Sequence, residues 1–161
     1  MKVLPLILAF LVVLGFPVVA SACLCDTLAT PEKAFAESVA VFTGRYLGSE
    51  YRSGIKSESV EMQFEYGEKR QDYQVEVYRF AVDRWLKGGA PGEAIIVTDH
   101  ARMADGTESI SDCGLGFETG RSYLIYAYGN EKEYVTGACT RTRRLSRAKS
   151  DLAILKRLTS K

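Results

Sequence analysis

Four cysteines, two of them nearly adjacent, constrain the fold of this chain more than any other feature. Cys23 and Cys25 stand close together, whereas Cys113 and Cys139 follow much later. If the chain is exported, as its first residues indicate below, four cysteines predict two disulfides. Three pairings are possible, and a bridge from Cys23 to Cys25 would close a very tight and strained ring. Either of the other two pairings ties the start of the mature chain to distant parts of the fold.

Residues 1–22 have the pattern of a secretory signal peptide. An apolar run follows a positively charged start, and Ala20-Ser21-Ala22 supplies the small residues that a signal peptidase reads. Cleavage there makes Cys23 the first residue of the mature chain. A membrane anchor needs about 20 apolar residues and is disfavoured by Pro17. A lipoprotein signal, which would acylate Cys23, is a second alternative, although alanine stands where such a signal usually has a Leu-like residue.

The mature chain, residues 23–161, has the length of one domain with a single core. The whole sequence has 21 Lys and Arg against 20 Asp and Glu, and this balance favours no nucleic-acid partner. His100 is the single histidine, which disfavours His-based catalysis and a His-rich metal site. No second apolar segment follows the signal. We therefore expect a secreted or periplasmic monomer without membrane attachment after cleavage.

Local patterns predict an all-β fold with a helix at each end. Thr30-Pro31-Glu32 is a good helix start, which predicts a short helix over Pro31–Glu37. Gly44 indicates a bend or bulge in the first strand, and helical spacing begins at Ser146. Five strands between these helices fit a small, partly open Greek-key barrel of the OB type. The strands are predicted over 39–47, 71–86, 93–98, 122–128 and 133–139, with a projecting hairpin tip over 48–71 and a loop over 100–112.

The Cys23-Leu24-Cys25 start offers chemistry of its own if its amine is free. The neutral α-amine and the carbonyl of one residue can form a five-membered chelate with a metal. An α-amine has a pKa of about 7.7–8.0, so a useful fraction is neutral near pH 7. The structural alternative is that these cysteines only form disulfides that stabilise the fold. A thiolate redox or metal motif is disfavoured, because an exported chain with two distant partner cysteines leaves no free thiol.

Three other features have structural alternatives that we consider more common. The basic stretch 140–161 has Asp151 as its only acid and could bind phosphate or sulfate, but such a run is more often the solvated face of a helix. Strand tyrosines could stack on bases, but at alternate positions they are more often core or barrel-face residues. His100 falls in the predicted loop and receives no role. The sequence has no nucleophile motif, phosphate loop or metal-ligand spacing, so we expect neither enzymatic activity nor a cofactor.

Six short segments occur in a distinctive order along the mature chain. They are Cys23-Leu24-Cys25, Lys33-Ala34-Phe35, Val39-Ala40-Val41-Phe42-Thr43-Gly44, Trp85-Leu86-Lys87-Gly88, Glu108-Ser109-Ile110-Ser111-Asp112-Cys113-Gly114, and Tyr123-Leu124-Ile125-Tyr126 before Cys139. In this order they resemble the N-terminal, inhibitory domain of the tissue inhibitors of metalloproteinases, a netrin-like (NTR-type) domain. The single-domain bacterial relatives of that family are the most similar in layout.

The resemblance implies an OB fold for residues 23–161 and selects one disulfide pairing, Cys23–Cys113 with Cys25–Cys139. Animal members of the family have a third cysteine where this chain has Ala36, and they carry a second domain that is absent here. These departures concern the site more than the fold, because a fold can persist after its site has changed partner.

The resemblance also implies a site. The α-amine and carbonyl of Cys23 would chelate the catalytic zinc of a target protease and displace its attacking water, while Leu24 would fill the specificity pocket beside the zinc. Ser111 and Asp112, held beside Cys23 by the first disulfide, would form the adjoining contact ridge, and Cys25 would also contact the protease. The expected function is a secreted zinc-metalloprotease inhibitor. The alternative is a non-inhibitory OB-fold module that binds an envelope polymer or a partner protein.

Overall fold

The computed structural model describes residues 25, 27–55, 72–89, 92–109, 114–130 and 133–160. These residues form a mostly β structure with two short helices, as the sequence predicts. The helices are α1 (Pro31–Glu37) and α2 (Lys149–Thr159), and a single 3-10 turn covers Leu145–Arg147. The strands are β1 (Ala40–Ser53), β2 (Tyr73–Lys87), β3 (Glu93–Met103), β4 (Glu108–Ser109), β5 (Ser122–Asn130), β6 (Glu133–Val135) and β7 (Arg143–Arg144).

Helix α1 begins and ends where the sequence predicts, because both of its caps are local. The Thr30 hydroxyl accepts a hydrogen bond from the Lys33 amide at 3.3 Å, and Pro31 occupies the first turn. At the other end the Ser38 side chain and backbone amide both donate to the Ala34 carbonyl, at 2.7 and 2.9 Å. Each donor lies at most four residues from its acceptor. The local sequence is therefore enough to predict where the helix begins and ends.

Five of the strands close a ring in the order β1-β2-β3-β6-β5, with β5 pairing back onto β1. Neighbouring strands are antiparallel except β3 and β6, which pair in parallel at Ile96↔Tyr134 and Val97↔Val135. The ring is uneven, since β1 and β2 pair along almost their whole length while β3 and β6 meet at those two positions. Within the described ranges, the two-residue strands β4 and β7 extend the sheet beside β3 and β5.

The bend predicted at Gly44 is present. The β1–β2 register shifts between Thr43 and Gly44, and a Cβ at Gly44 would stand 2.9 Å from the Ala81 carbonyl oxygen. A side chain at this position would therefore push the two strands apart, and glycine allows the close approach that curls the barrel.

Alternating residues of the strands supply two apolar layers. The inside of the ring holds Phe42, Phe80, Ile96 and Ile125, which are all essentially inaccessible to solvent. The outer face of β1 and β5 packs against both helices. That second layer comprises Ala34, Val41, Leu124, Tyr126, Ala148 and Leu155. Helix α2 thus covers the side of the barrel on which α1 lies.

Several predicted boundaries are wrong, and strand pairing explains the differences at β1 and β3. Strand β1 continues to Ser53, because β2 offers partners as far as Gln74. Strand β3 continues to Met103, so 100–103 are strand and not loop. Strand β6 is shorter than predicted, and α2 begins at Lys149 after the 3-10 turn. The predicted tip over 48–71 is partly strand, and its residues 56–71 lie outside the described ranges.

Candidate functional site

The predicted site residues divide sharply between described and undescribed positions. Cys25 is described, whereas 23–24 and 110–113, which include Leu24, Ser111 and Asp112, lie outside the described ranges, as does the predicted signal over 1–22. Cys25 forms a disulfide with Cys139, with 5.3 Å between their Cα atoms. This is the pairing that the resemblance implies for Cys25. A disulfide indicates an oxidising, extracytoplasmic environment. No helix in the described ranges is long and apolar enough to cross a bilayer.

The turn that carries Cys139 is itself fixed to the barrel. Thr136 donates to the Tyr126 carbonyl at 3.0 Å, and its hydroxyl lies 2.7 Å from that of Thr142. Thr142 in turn accepts from the Tyr126 amide at 2.9 Å, and the Thr140 hydroxyl lies 3.0 Å from that of Thr136. Three threonines therefore bind this turn to the centre of β5. The disulfide consequently holds Cys25 against a well-supported part of the sheet.

Arg141 makes a second link between the same turn and the N-terminal segment. Its Nη1 donates to the Ala29 carbonyl oxygen at 2.7 Å. Its Nε and Nη2 donate to the two carboxylate oxygens of Asp151, each at 2.9 Å. Asp151 is 0 % exposed and also accepts a hydrogen bond from the Tyr126 hydroxyl at 3.3 Å. One guanidinium therefore joins the N-terminal segment to the first turn of α2.

The charges of this buried group are mutually stabilised. Burial alone would raise the pKa of Asp151, but the hydrogen bonds and charge of Arg141, with the charge of Arg143, hold that pKa below its ordinary value. The hydrogen bond to Asp151 raises the pKa of Arg141. Burial, and then the negative charge of Asp151, raise the pKa of Tyr126. All three groups therefore keep their ordinary ionisation states near neutral pH, with Asp151 charged inside the protein.

The N-terminal segment, residues 25 and 27–37, is thus held at three places. The disulfide fixes Cys25, the Arg141 guanidinium fixes Ala29, and Ala34 of α1 is buried against the layer beneath α2. Leu28, between the first two anchors, is 47 % exposed. The segment runs over the barrel surface and is accessible between its anchors.

The structure corrects the prediction for part of the basic stretch 140–161. Arg141 is only 15 % exposed and is paired with Asp151, so it does not belong to a solvated face. Arg143 lies 4.0 Å from the same carboxylate, and Arg144 pairs with Glu118. The remaining basic side chains in the described part of the stretch are exposed: Arg147, Lys149, Lys156 and Arg157. The sequence could not reveal the role of Arg141, because Ala29 is 112 residues away.

His100 is a second correction. It lies on β3, and its Nδ1 is 2.9 Å from a carboxylate oxygen of Glu76 on β2. The two side chains are 17 % and 15 % exposed, so the pair is largely shielded from water. Sequence reasoning missed the pair. The alternating pattern of β2 predicts which face of the strand Glu76 lies on, but it does not identify a partner on another strand 24 residues away. Among the described residues, no group of three or more His, Cys, Asp and Glu side chains could hold a metal ion.

The strand tyrosines are core and barrel-face residues, as predicted. Tyr123 and Tyr126 are buried, and Tyr78 packs edge-on against Tyr46 with 5.7 Å between ring centroids. Burial, followed by the charge of Glu76, raises the pKa of the Tyr78 hydroxyl. The faces of Tyr123 and Tyr126 are therefore not open to a stacking base.

An open groove of about 570 Å³ lies at the far end of the β1–β2 ribbon. Tyr73, Arg102 and Met103 line it with neighbouring polar and glycine residues. The Arg102 guanidinium is engaged there, since it donates to Glu108 at 2.8 Å and lies 3.9 Å from the centre of the Tyr51 ring. Cys25, the described residue of the predicted site, does not line the groove.

No protein-family model matches the chain, and no curated protein matches it.

Proposed function

We propose that this protein is a secreted inhibitor of zinc metalloproteases that acts through its first mature residue, Cys23. The observation that carries the proposal is the triple anchoring of the segment that follows, at Cys25, Ala29 and Ala34. Most chains have frayed first residues. Here a disulfide and a buried ion pair hold the N-terminal segment in place. Such anchoring favours a role for the N-terminus itself.

The sheet order supports an OB-type barrel of the kind found in the tissue inhibitors of metalloproteinases. Five strands close in the order β1-β2-β3-β6-β5, and the single parallel contact joins β3 to β6. A small Greek-key barrel with a helix packed on its side accommodates this connectivity. The family assignment rests on this topology, on the Cys25–Cys139 disulfide and on the order of the sequence segments.

Covalent geometry brings the proposed chelating group close to the anchored segment. Two residue steps span at most about 7 Å, so the Cys23 Cα lies within that distance of the Cys25 Cα. A chelating amine and carbonyl that are already positioned lose little entropy when they bind a metal. They would occupy the open coordination position of the target's zinc, where the hydrolytic water otherwise binds. Leu24 would bury its side chain in the adjacent pocket of the protease.

The proposal includes a second disulfide, Cys23–Cys113, and a contact ridge formed by Ser111 and Asp112. The described flanks are compatible with it, since β4 ends at Ser109 and is paired with β3. A carboxylate at Asp112, where animal members of the family usually have an apolar residue, would select a target protease with a basic or polar rim. The target is therefore expected to differ from those of the animal inhibitors.

The alternative, a non-inhibitory module for an anionic envelope polymer, has one supporting observation. Helix α2 and the turn before it retain four exposed cations, namely Arg147, Lys149, Lys156 and Arg157. Salt-sensitive binding to a sulfated polysaccharide, unchanged when the N-terminus is blocked, would favour this alternative. The withdrawal of Arg141 into the ion pair with Asp151 weakens it.

The test compares three preparations of the mature protein against a panel of zinc metalloproteases. The first begins at Cys23 with a free amine, verified by mass spectrometry, the second is acetylated at that amine, and the third carries one added alanine before Cys23. We expect nanomolar to micromolar inhibition of at least one protease by the first preparation alone. Equal inhibition by the free and the extended forms would exclude chelation by the N-terminal residue.

A further inference from the structure

We propose that Arg141 and Asp151 are positioning residues for the inhibitory N-terminus, which they order through the Ala29 carbonyl. This inference rests on the proposed function for its role in inhibition, whereas the ordering itself is measurable without any protease. The sequence suggests no such role, because Arg141 stands within a basic run and Ala29 is 112 residues away.

The guanidinium divides its donors between two parts of the chain. Nε and Nη2 form parallel hydrogen bonds to Asp151, which fix the plane of the fork. With that plane fixed, Nη1 points at the Ala29 carbonyl oxygen, 2.7 Å away. Asp151 therefore does not touch the N-terminal segment, yet it determines where the third donor of Arg141 is directed.

The link to Ala29 adds something that the disulfide does not provide. The disulfide fixes the chain at Cys25, and helix α1 fixes it again from Pro31. Between these points the described backbone has no other hydrogen bond from Arg141 or its neighbours, and the Leu28 side chain is 47 % exposed. The Nη1 hydrogen bond holds the middle of this span. It thereby sets the position of the described backbone around Ala29, on the C-terminal side of Cys25.

Lysine at position 141 would separate this role from charge alone. Its ammonium is a point charge and could pair with Asp151, but it cannot also hold the fork geometry that reaches Ala29. Arg141→Lys should therefore retain the buried charge pair and lose the positioning. The matched control is Arg144→Lys, because Arg144 pairs with Glu118 at an exposed site away from the N-terminal segment.

A second variant separates the effect on the N-terminal segment from any loss of folding stability. Replacing a buried ion pair by apolar residues of similar volume is often neutral for folding. The double variant Arg141→Met with Asp151→Leu should fold with a thermal midpoint close to that of the wild type, and it lacks the hydrogen bond to Ala29. A role that is only structural would leave the N-terminal segment unchanged in this protein.

The experiment measures backbone ¹⁵N order parameters for 27–30 and inhibition constants for the four proteins. In Arg141→Lys and in the double variant, we expect order parameters to fall from near 0.85 to below about 0.6. We expect inhibition to weaken about tenfold in both, and the Arg144→Lys control to match the wild type. Unchanged order at 27–30 in both variants would overturn the positioning role. If the wild type inhibits no protease, the proposed function fails, and the order parameters still decide the inference.

Discussion

Removing the Cys25–Cys139 disulfide should destabilise the protein by an amount that reports the pairing of the other two cysteines. The bridge joins residues 114 positions apart. If it were the only crosslink, the chain-entropy relation would assign it about 4.8 kcal/mol at 25 °C. If Cys23 and Cys113 are also joined, the additional ring is much smaller. It runs from Cys23 to Cys25 and from Cys113 to Cys139, roughly 30 residues, and is worth about 3.6 kcal/mol.

The experiment therefore removes the same disulfide in two backgrounds. Cys25→Ala with Cys139→Ala is made once in the native sequence and once together with Cys23→Ala and Cys113→Ala. Free energies of unfolding come from equilibrium urea titrations. The fluorescence of Trp85, the single tryptophan, follows unfolding, because its ring packs 4.8 Å from that of Phe42 in the core.

We expect the loss to be about 1.2 kcal/mol larger in the background that lacks Cys23 and Cys113. Equal losses in the two backgrounds would show that Cys23 and Cys113 are not joined to each other, which would refute the pairing taken from the resemblance. Losses below about 1 kcal/mol in both would refute the broader argument that the disulfide holds the N-terminal segment against the folded barrel.

Two further predictions concern the buried carboxylate and one glycine. Asp151→Asn should lower the free energy of unfolding at pH 7 and make it less dependent on pH in the acidic range. The folded pKa of Asp151 lies below its ordinary 3.8, so its contribution is present above that value and is lost as the pH falls through the folded pKa. The difference between wild type and variant in urea midpoints should therefore shrink below pH 3.8. Gly88→Ala should cost at least about 2 kcal/mol in urea titrations, because φ is +60° and a Cβ would clash with the Val39 carbonyl oxygen.

Each of these two predictions has a built-in comparison. A constant difference between Asp151→Asn and the wild type from pH 7 to pH 2 would contradict the depressed pKa. For the glycine, the matched control is Gly120→Ala, which has a similar positive φ, +80°, but nothing within 4 Å of the added Cβ. If both alanine variants lose the same stability, backbone strain alone accounts for the cost, and the proposed clash at Gly88 is wrong.

Local sequence signals predicted the parts of this fold that depend on neighbours in the chain. Helix α1 was predictable to the residue, because Thr30, Pro31 and Ser38 determine its ends. The bend at Gly44 was predictable for the same reason. The polar end of β1 was not, since it is a strand only because β2 pairs with it as far as Ser53.

The candidate site was predictable where covalent bonds define it and not where side chains meet over long distances. Four cysteines and a resemblance were enough to select Cys25–Cys139. The contacts of Arg141 with Ala29 and of His100 with Glu76 link residues 112 and 24 positions apart, and no periodicity signals them. A single acid within a basic run, such as Asp151, is the one sequence feature that could have suggested a buried ion pair.

The anchors of the N-terminal segment also impose an order of events on folding. Residues 25–37 are synthesised early, but Cys139, Arg141 and Asp151 all belong to the final quarter of the sequence. Contacts between such distant positions form late and slowly. A chain that is cut short before α2 would lack both the carboxylate that orients Arg141 and the helix that covers Val41 and Leu124. Residues 25–37 can therefore make their described contacts only after α2 has been synthesised and has folded onto the barrel.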